Sequence, residues 1–217
     1  MHADQWHERW RSGRTGFHST EVARPLRQFW STLKVPRGSG VFVPFCGKSL
    51  DLLWLRNQQH RVIGVELSEI AVESFLTGNG ILACRDARLR FNEYIAPNLR
   101  ILQGDFFQLA PEMLGPIGAI YDRASLIAMP PEMQAPYAQK LTELSPAGTE
   151  TLLVTLEYPQ REMSGPPFSV DSLSVNRLYS AHHRVQEVDR ADILASDPLR
   201  ERGVSRLHEV SYRLSRL

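Results

Sequence analysis

Short apolar runs alternate with amphipathic stretches along most of the chain. Five runs have the length and apolar content of buried strands, and they lie at residues 41–45, 61–66, 99–102, 117–121 and 151–157. Three stretches carry apolar residues three and four positions apart, as helices do, at residues 49–59, 68–77 and 132–144. Strands that alternate with helices at this spacing predict βαβ units around a mostly parallel sheet.

The two ends of the chain extend this pattern. Residues 20–33 have helical spacing, with Thr20 as the expected N-cap. Residues 89–95 have the pattern of a small hairpin, and residues 185–188 and 207–214 predict two late strands that pair antiparallel. The sequence therefore predicts an α/β fold of the doubly wound, Rossmann-like type, with an antiparallel hairpin at its C-terminal edge.

The composition fits one domain of ordinary globular character. The chain has 217 residues, of which 25 are Lys or Arg and 24 are Asp or Glu, and its net charge is +1. Because the basic residues are scattered, nucleic acid is not an expected partner. The N-terminus has no charged-then-apolar signal pattern, and the longest apolar run, residues 41–46, falls far short of the roughly 18 residues of a membrane span. We therefore expect a single cytoplasmic domain over residues 1–217 that does not associate with membranes.

An acidic residue ends the second predicted strand, where ligands bind in open α/β sheets. Glu66 lies 19 positions after Gly47, which follows the first strand. An acid at this place and spacing accepts both hydroxyls of a ribose. The alternative is a solvated acid that precedes the helix starting at Ser68, where the helix dipole favours negative charge. The position and the spacing favour the ribose.

The loop after the first strand contains a single glycine. A G-x-G-x-x-G run, which lets the backbone approach a pyrophosphate, is missing, and this disfavours NAD and FAD. Lys48 and Ser49 match the end of a P-loop, but the glycine that begins that motif is missing. The loop suits a ligand without phosphates, such as an adenosine that carries an amino acid.

Two further strand ends carry candidate ligand-binding residues. Asp105 and Phe106 follow the third strand and could present a carboxylate and a ring to adenine, although an ordinary turn with Phe106 or Phe107 in the core explains them nearly as well. Asp122 and Arg123 follow the fourth strand and could form an internal ion pair. An arginine is also well suited to hold a ligand carboxylate in a bidentate fork.

The first 18 residues form an aromatic, polar arm that precedes the first βα unit. Trp6 and Trp10 are four apart, so a helical turn places them on one face. These indoles and Phe17 could attach the arm to the body of the protein, or could close over a site and exclude water. The histidines and cysteines have no metal-ligand spacing, so no metal is expected: His18, His182, His183, Cys46 and Cys84.

Six stretches together resemble the thiopurine S-methyltransferase family, and their order and separations fit along nearly the whole chain. They are Trp6-x-x-x-Trp10, Gly13-x-Thr15-x-Phe17-His18, Val43-Pro44-Phe45-Cys46-Gly47-Lys48-Ser49, Gly64-Val65-Glu66-Leu67-Ser68-Glu69, Tyr121-Asp122-Arg123-Ala124 and Gly165-Pro166-Pro167-Phe168. The resemblance weakens between about residues 80 and 98 and after Ser180. It implies a class I S-adenosylmethionine-dependent methyltransferase with a seven-stranded sheet.

The resemblance also implies roles for individual residues. S-adenosylmethionine contacts are implied at Trp10, Phe45, Glu66 and Arg123, and Phe17 is implied as the aromatic residue that faces the substrate. Phe45 stands where this family usually has leucine, so a side-chain contact there differs whereas a backbone contact is retained. Three C-terminal arginines are equal candidates for a substrate contact: Arg200, Arg202 and Arg206.

The implied reaction is transfer of the methyl group of S-adenosylmethionine to the thiolate of an aromatic or heterocyclic thiol. Such thiols lose their proton near neutral pH, so we assign no catalytic base. One alternative is methylation of selenium or tellurium compounds or of small aliphatic thiols. Another is a non-catalytic S-adenosylmethionine-binding module. We expect a monomer whose partner is a small molecule.

Overall fold

The computed structural model describes residues 3–13, 19–87 and 90–217. They build one nine-stranded sheet with the strand order β3-β4-β5-β2-β1-β6-β7-β9-β8. The strands are β1 (Gly40–Val43), β2 (Arg61–Glu66), β3 (Cys84–Ala87), β4 (Asn92–Ala96), β5 (Leu99–Gln103), β6 (Ala119–Arg123), β7 (Glu150–Glu157), β8 (His183–Asp192) and β9 (His208–Arg216).

The five central strands are parallel and both edges of the sheet are antiparallel. Strand β1 pairs with β2 and β6, β2 pairs with β5, and β6 pairs with β7, all in parallel. At one edge β9 runs antiparallel between β7 and β8, which confirms the predicted C-terminal hairpin. At the other edge the β3–β4 hairpin pairs antiparallel with β5 and adds two strands to the seven expected from the resemblance.

Helices cover both faces of the sheet, as a doubly wound fold requires. The described residues form α1 (Ala3–Arg11), α2 (Arg24–Phe29), α3 (Asp51–Asn57), α4 (Glu69–Gly78), α5 (Pro111–Leu114), α6 (Pro131–Glu143) and α7 (Ser172–Tyr179). Alternate residues of β1 point to opposite faces. Phe42 lies in the core under α6 and α7, whereas Val41 and Val43 lie in the core under α2, α3 and α4.

The first predicted helix and strand differ from the structure at their ends. The helix expected from Thr20 begins at Arg24, because Pro25 has no N–H and its ring geometry suits the first helical turn. It continues as a 3-10 turn from Trp30 to Leu33. Strand β1 ends at Val43 rather than at Phe45, because Pro44 cannot donate to a neighbouring strand.

Strand β8 is ten residues long, whereas the apolar pattern predicts only residues 185–188. It is an edge strand whose alternate side chains face solvent, so polar residues continue it at both ends without breaking it. The pairing with β9 shifts register between Glu187 and Asp189, which is a β-bulge. Arg190 in this strand binds Glu187 and Glu157 at 2.9 and 2.7 Å.

The described part of the chain contains neither a candidate membrane span nor a candidate metal cluster. No helix in residues 3–13, 19–87 or 90–217 is long and apolar enough to cross a membrane. Within the same ranges, no three His, Cys, Asp or Glu side chains are grouped so that they could hold a metal ion.

Candidate active site

Four of the residues predicted to bind a ligand lie at or just after the carboxyl ends of four neighbouring strands. In spatial order, Asp105 follows β5, Glu66 ends β2, Phe45 follows β1 and Arg123 ends β6. These strands are parallel, so their carboxyl ends meet at one edge of the sheet. The fold therefore brings four of the six predicted site residues together.

Glu66 joins the loop after β1 to the loop after β2. One carboxylate oxygen accepts the backbone N–H of Gly47 at 3.0 Å, and the other accepts that of Ser68 at 2.8 Å. The Ser68 side chain in turn caps helix α4. A carboxylate has about four acceptor positions, so one remains on each oxygen. Glu66 is thus a structural part of the turn and still has the capacity to accept two hydroxyls.

The environment of Glu66 changes its acidity. Burial raises the pKa of the Glu66 carboxyl from 4.5 to about 7, and the backbone N–H groups of Ser68, Gly47 and Leu67 oppose this rise. Desolvation disfavours the charged form, whereas donated hydrogen bonds favour it. A ligand that donates two more hydrogen bonds therefore favours the ionised form of Glu66.

Phe45 adopts a left-handed backbone conformation, with φ of 44°. This is uncommon for a residue other than glycine and persists where the surroundings hold it in place. The Phe45 ring meets the ring of Phe106 edge-on at 5.2 Å and the ring of Tyr137 at 5.5 Å. In the neighbouring loop, the Ser125 hydroxyl donates to the carbonyl of Pro44 at 2.9 Å. These contacts fix the turn between β1 and Gly47.

Arg123 and Asp122 point to opposite faces of β6. The Arg123 guanidinium lies 3.6 Å from the Asp51 carboxylate, on the face covered by α3. Asp122 instead accepts the Tyr137 hydroxyl at 2.8 Å on the other face, and burial raises its pKa to about 6. The internal ion pair considered for Asp122 and Arg123 is therefore absent, because successive residues of a strand face opposite sides.

Asp51 is a residue of this site that the sequence pattern does not predict. Its signal is modest: an acid in the first turn of α3, five positions after Cys46. Such acids usually serve the helix dipole and are exposed. Here the residue is 1% exposed, and only the fold brings it to Tyr121 and Arg123.

Asp105 starts a 3-10 turn at the end of β5. Its carboxylate accepts the backbone N–H of Phe107 at 3.0 Å and lies 3.4 Å from the side-chain amide of Gln108. The backbone N–H of Gly104, just before it, donates to the carbonyl of Glu66 at 2.9 Å. Asp105 is thus held beside Glu66. Phe106 is a core residue that is 2% exposed, so the ring proposed for adenine is not available there.

Trp10 lies against the loop after β1. Its indole is 7% exposed, and a Cβ added to Gly47 would lie 3.4 Å from the ring. The Lys48 ammonium lies 6.0 Å from the ring centroid, at the outer limit of a cation–π contact. Helix α1 is therefore anchored at the same turn that Glu66 holds. The remaining predicted site residue, Phe17, and its neighbour His18 lie outside the described residues.

The two cysteines differ in their surroundings. Cys46 is buried, and burial raises the pKa of its thiol. A Cβ on Gly64 would lie 2.6 Å from the Cys46 sulfur, so this glycine makes room for the thiol under the turn. Cys84 is exposed on β3, at the edge of the sheet. Cys46 is therefore a packing residue of the candidate site.

The donor and acceptor groups at this edge match an adenosine that carries an amino acid. Glu66 offers two free acceptor positions for ribose hydroxyls. The Asp105 carboxylate can accept from an exocyclic amine, as acids do from nucleobases. The Arg123 guanidinium has five donors, and its distance of 3.6 Å from the Asp51 carboxylate is longer than a hydrogen bond, so donors remain for a ligand carboxylate.

Comparisons with known proteins agree with this chemistry. The sequence model of the family described as Thiopurine S-methyltransferase (TPMT) matches residues 1–217. The thiopurine S-methyltransferase of Methylococcus capsulatus is 47% identical over 214 residues, which are 98% of this chain and 96% of that one. The thiopurine S-methyltransferase of Bordetella parapertussis is 45% identical over 218 residues and is covered completely, as is this chain.

The fold has solved counterparts among methyltransferases. One is the 1,6-didemethyltoxoflavin-N1-methyltransferase of Burkholderia thailandensis, with a TM-score of 0.62 and 16% identity over 98% of this chain and 87% of that one. That enzyme was crystallised with S-adenosylhomocysteine and 1,6-didemethyltoxoflavin. The family match spans all strands that form the candidate site. This protein belongs to the thiopurine S-methyltransferase family, and it is a methyltransferase that uses S-adenosylmethionine as its methyl donor.

Proposed function

We propose that the protein methylates the sulfur of aromatic or heterocyclic thiols of the thiopurine type. The observation that supports this most is the buried Glu66, which holds the Gly47 turn and keeps two acceptor positions free. An acid at this position binds ribose hydroxyls. The turn beside it lacks the glycine run that would let the backbone approach a pyrophosphate, so the site suits an adenosine without phosphates. The name of the family supports this class of acceptor.

Each residue at the strand ends has a separate part in this proposal. Glu66 binds the ribose hydroxyls, and Asp105 binds the adenine amine. Arg123 binds the carboxylate of the amino-acid end as a fork. Trp10 and the backbone of Phe45 form walls beside the ligand, next to the turn that Glu66 fixes.

The protein contributes alignment and exclusion of water. When bound, S-adenosylmethionine supplies an electrophilic methyl group on a sulfonium sulfur. The chain holds both ends of that ligand on rigid strand ends, which lowers the entropic cost of bringing the reactants together. A buried aromatic wall at Trp10 keeps water from the reacting sulfur atoms. An aryl thiol ionises near neutral pH, so we assign no catalytic base.

We propose further that residues 1–217 form a single monomeric domain and that residues 1–18 are an arm over the active site. The described part of this arm, α1, carries Trp10 to the Gly47 turn. Phe17 would then form the aromatic wall on the acceptor side.

A panel of acceptors tests this function. We expect transfer of labelled methyl from S-adenosylmethionine to a heteroaryl thiol with a higher kcat/KM than to a small aliphatic thiol, selenite or tellurite. The physical reason is that the heteroaryl thiol is already a thiolate at neutral pH. A higher kcat/KM for the chalcogen compounds or the aliphatic thiol would replace the proposed acceptor. Binding of S-adenosylhomocysteine without turnover of any acceptor would support a binding module instead.

The acidity of Glu66 gives a second prediction. At about pH 6 most of the free protein carries a proton on Glu66, because its pKa is about 7. Ribose hydroxyls favour the ionised form, so binding of S-adenosylhomocysteine should release a proton at about pH 6 and almost none at about pH 8. The affinity should fall as the pH falls below 7. Calorimetry in two buffers of different ionisation enthalpy measures this release.

A matched variant separates Glu66 from the nearby Asp122, whose pKa is about 6. Glu66→Gln cannot titrate, so its binding enthalpy should no longer depend on the buffer at about pH 6. Asp122→Asn should leave the release in place. Proton uptake by the wild-type protein, or release that persists in Glu66→Gln, would contradict the assignment.

A further inference from the structure

We propose that Asp51 is a positioning residue that orients Arg123 toward the carboxylate of the ligand. The inference rests on the proposed function, because that proposal gives Arg123 its ligand. Asp51 does not itself lie at a strand end, and it acts through the guanidinium. Asp51 should therefore affect the binding of the amino-acid end of the ligand and not the binding of its adenosine.

The surroundings of Asp51 are nearly closed to water. The residue is 1% exposed at the start of α3. One carboxylate oxygen accepts the backbone N–H of Ala23 at 2.8 Å, and the other accepts the Tyr121 hydroxyl at 2.9 Å. Ala23 immediately precedes α2, and Tyr121 lies on β6. Asp51 is thereby fixed by two separate elements before Arg123 is considered.

These two hydrogen bonds do not by themselves require a charged residue. The Ala23 and Tyr121 donors are neutral, and an amide or hydroxyl oxygen could accept either of them. A buried carboxylate, however, needs a positive partner, because an unpaired charge in the interior is strongly disfavoured. In the described part of the chain, the positive partner of Asp51 is Arg123, whose guanidinium lies 3.6 Å from the carboxylate.

The orientation of Arg123 depends on the same ion pair. Its side chain is 25% exposed, so without a partner it can turn toward solvent. The ion pair with the fixed Asp51 restricts the guanidinium to the face of β6 under α3. The guanidinium is planar and carries its donors in a rigid fork, so fixing one of its nitrogens also sets the direction of the others. Asp51 therefore prepares Arg123 for a second carboxylate.

The test compares two ligands that differ at the end Arg123 binds. S-adenosylhomocysteine carries the amino acid, and 5′-methylthioadenosine has the same adenosine and sulfur without it. By calorimetry, we expect Asp51→Asn to weaken the first ligand by about tenfold, the range for a hydrogen bond to a charged group, and to change the second by less than about twofold. Arg123→Lys should have the same selective effect.

Three further variants make the test decisive. Tyr121→Phe removes one hydrogen bond of Asp51 and retains its charge and its bond to Ala23, so it should lower the Tm and change the ratio of the two affinities by less than about twofold. The double variant of Asp51→Asn with Arg123→Lys should be no weaker than Arg123→Lys alone, within about twofold, if the aspartate acts through the arginine. Asp51→Glu keeps the charge but displaces it by one methylene, and it should weaken S-adenosylhomocysteine selectively by about threefold.

The outcomes that overturn the proposal are distinct. Equal weakening of both ligands by Asp51→Asn would make the aspartate a purely structural residue, and additive effects in the double variant would mean that it acts independently of Arg123. An unchanged affinity ratio in Asp51→Asn, or in Asp51→Glu where Asp51→Asn does not fold, would also overturn it. If Arg123→Lys leaves the ratio unchanged, the assigned role of Arg123 fails, and the present proposal fails with it.

Discussion

Replacement of Glu66 by alanine should weaken the binding of S-adenosylhomocysteine by roughly 100-fold. The variant loses the acceptor of two ribose hydroxyls, and the loss of these charged hydrogen bonds costs roughly 2–3 kcal/mol in total. It also leaves the backbone N–H groups of Gly47 and Ser68 without their acceptor, so the turn beside the ligand loses its fixed shape. Both effects act in the same direction. Calorimetry gives the affinity.

A matched control lies on the next helix. Glu73 is exposed on α4, and Glu73→Ala removes the same side chain at a position without a ligand role. We expect it to bind S-adenosylhomocysteine as the wild type does. Thermal unfolding of both variants tests whether the Glu66 variant is folded. A folded Glu66→Ala protein with unchanged affinity would return Glu66 to the alternative of an acid that only supports the start of α4.

Replacement of Trp10 by alanine should lower kcat/KM by roughly 30- to 100-fold. The indole packs on the Gly47 turn, and its loss lets water enter and the turn shift, where a displacement of about 1 Å can cost about 100-fold in rate. The loss of turnover should exceed the loss of stability. Turnover with a heteroaryl thiol and the Tm, measured on the same sample, decide this.

Trp30 provides the comparison for a buried indole far from the strand ends. It is 5% exposed, and its indole N–H donates to His60 at 3.0 Å. His60 directly precedes β2, so this contact lies at the amino-terminal ends of the parallel strands, opposite the candidate site. Trp30→Ala should lower the Tm and keep the kcat/KM of the folded protein. If Trp10→Ala behaves in the same way as Trp30→Ala, Trp10 only attaches the arm to the body of the protein.

The central strands could be predicted because each is buried on both faces. Strand β2 reads as a continuous apolar run that ends in Glu66, so both the strand and the position of its acid follow from the pattern. Gly47 and Glu66 then meet because β1 and β2 are neighbours. In this part of the molecule, the order of apolar and polar residues is sufficient to locate the candidate site.

Other features depend on contacts between distant residues, which no local pattern records. The role of Asp51 needs Ala23 and Tyr121, which are 28 and 70 positions away. The left-handed turn at Phe45 needs the rings of Phe106 and Tyr137 to hold it. The residues that contact Asp51 and Phe45 lie on other elements of the fold. The sequence therefore predicts where the site lies but not the contacts that hold it in place.

The extended β8 edge has a consequence for how molecules of this protein meet one another. An edge strand offers a row of free backbone groups to any other strand and can start edge-to-edge aggregation. The bulge between Glu187 and Asp189 twists this row away from a straight partner, and Arg190, held by Glu157 and Glu187, places charge along it. Both features disfavour the addition of a second strand at this edge, in agreement with the proposed monomer.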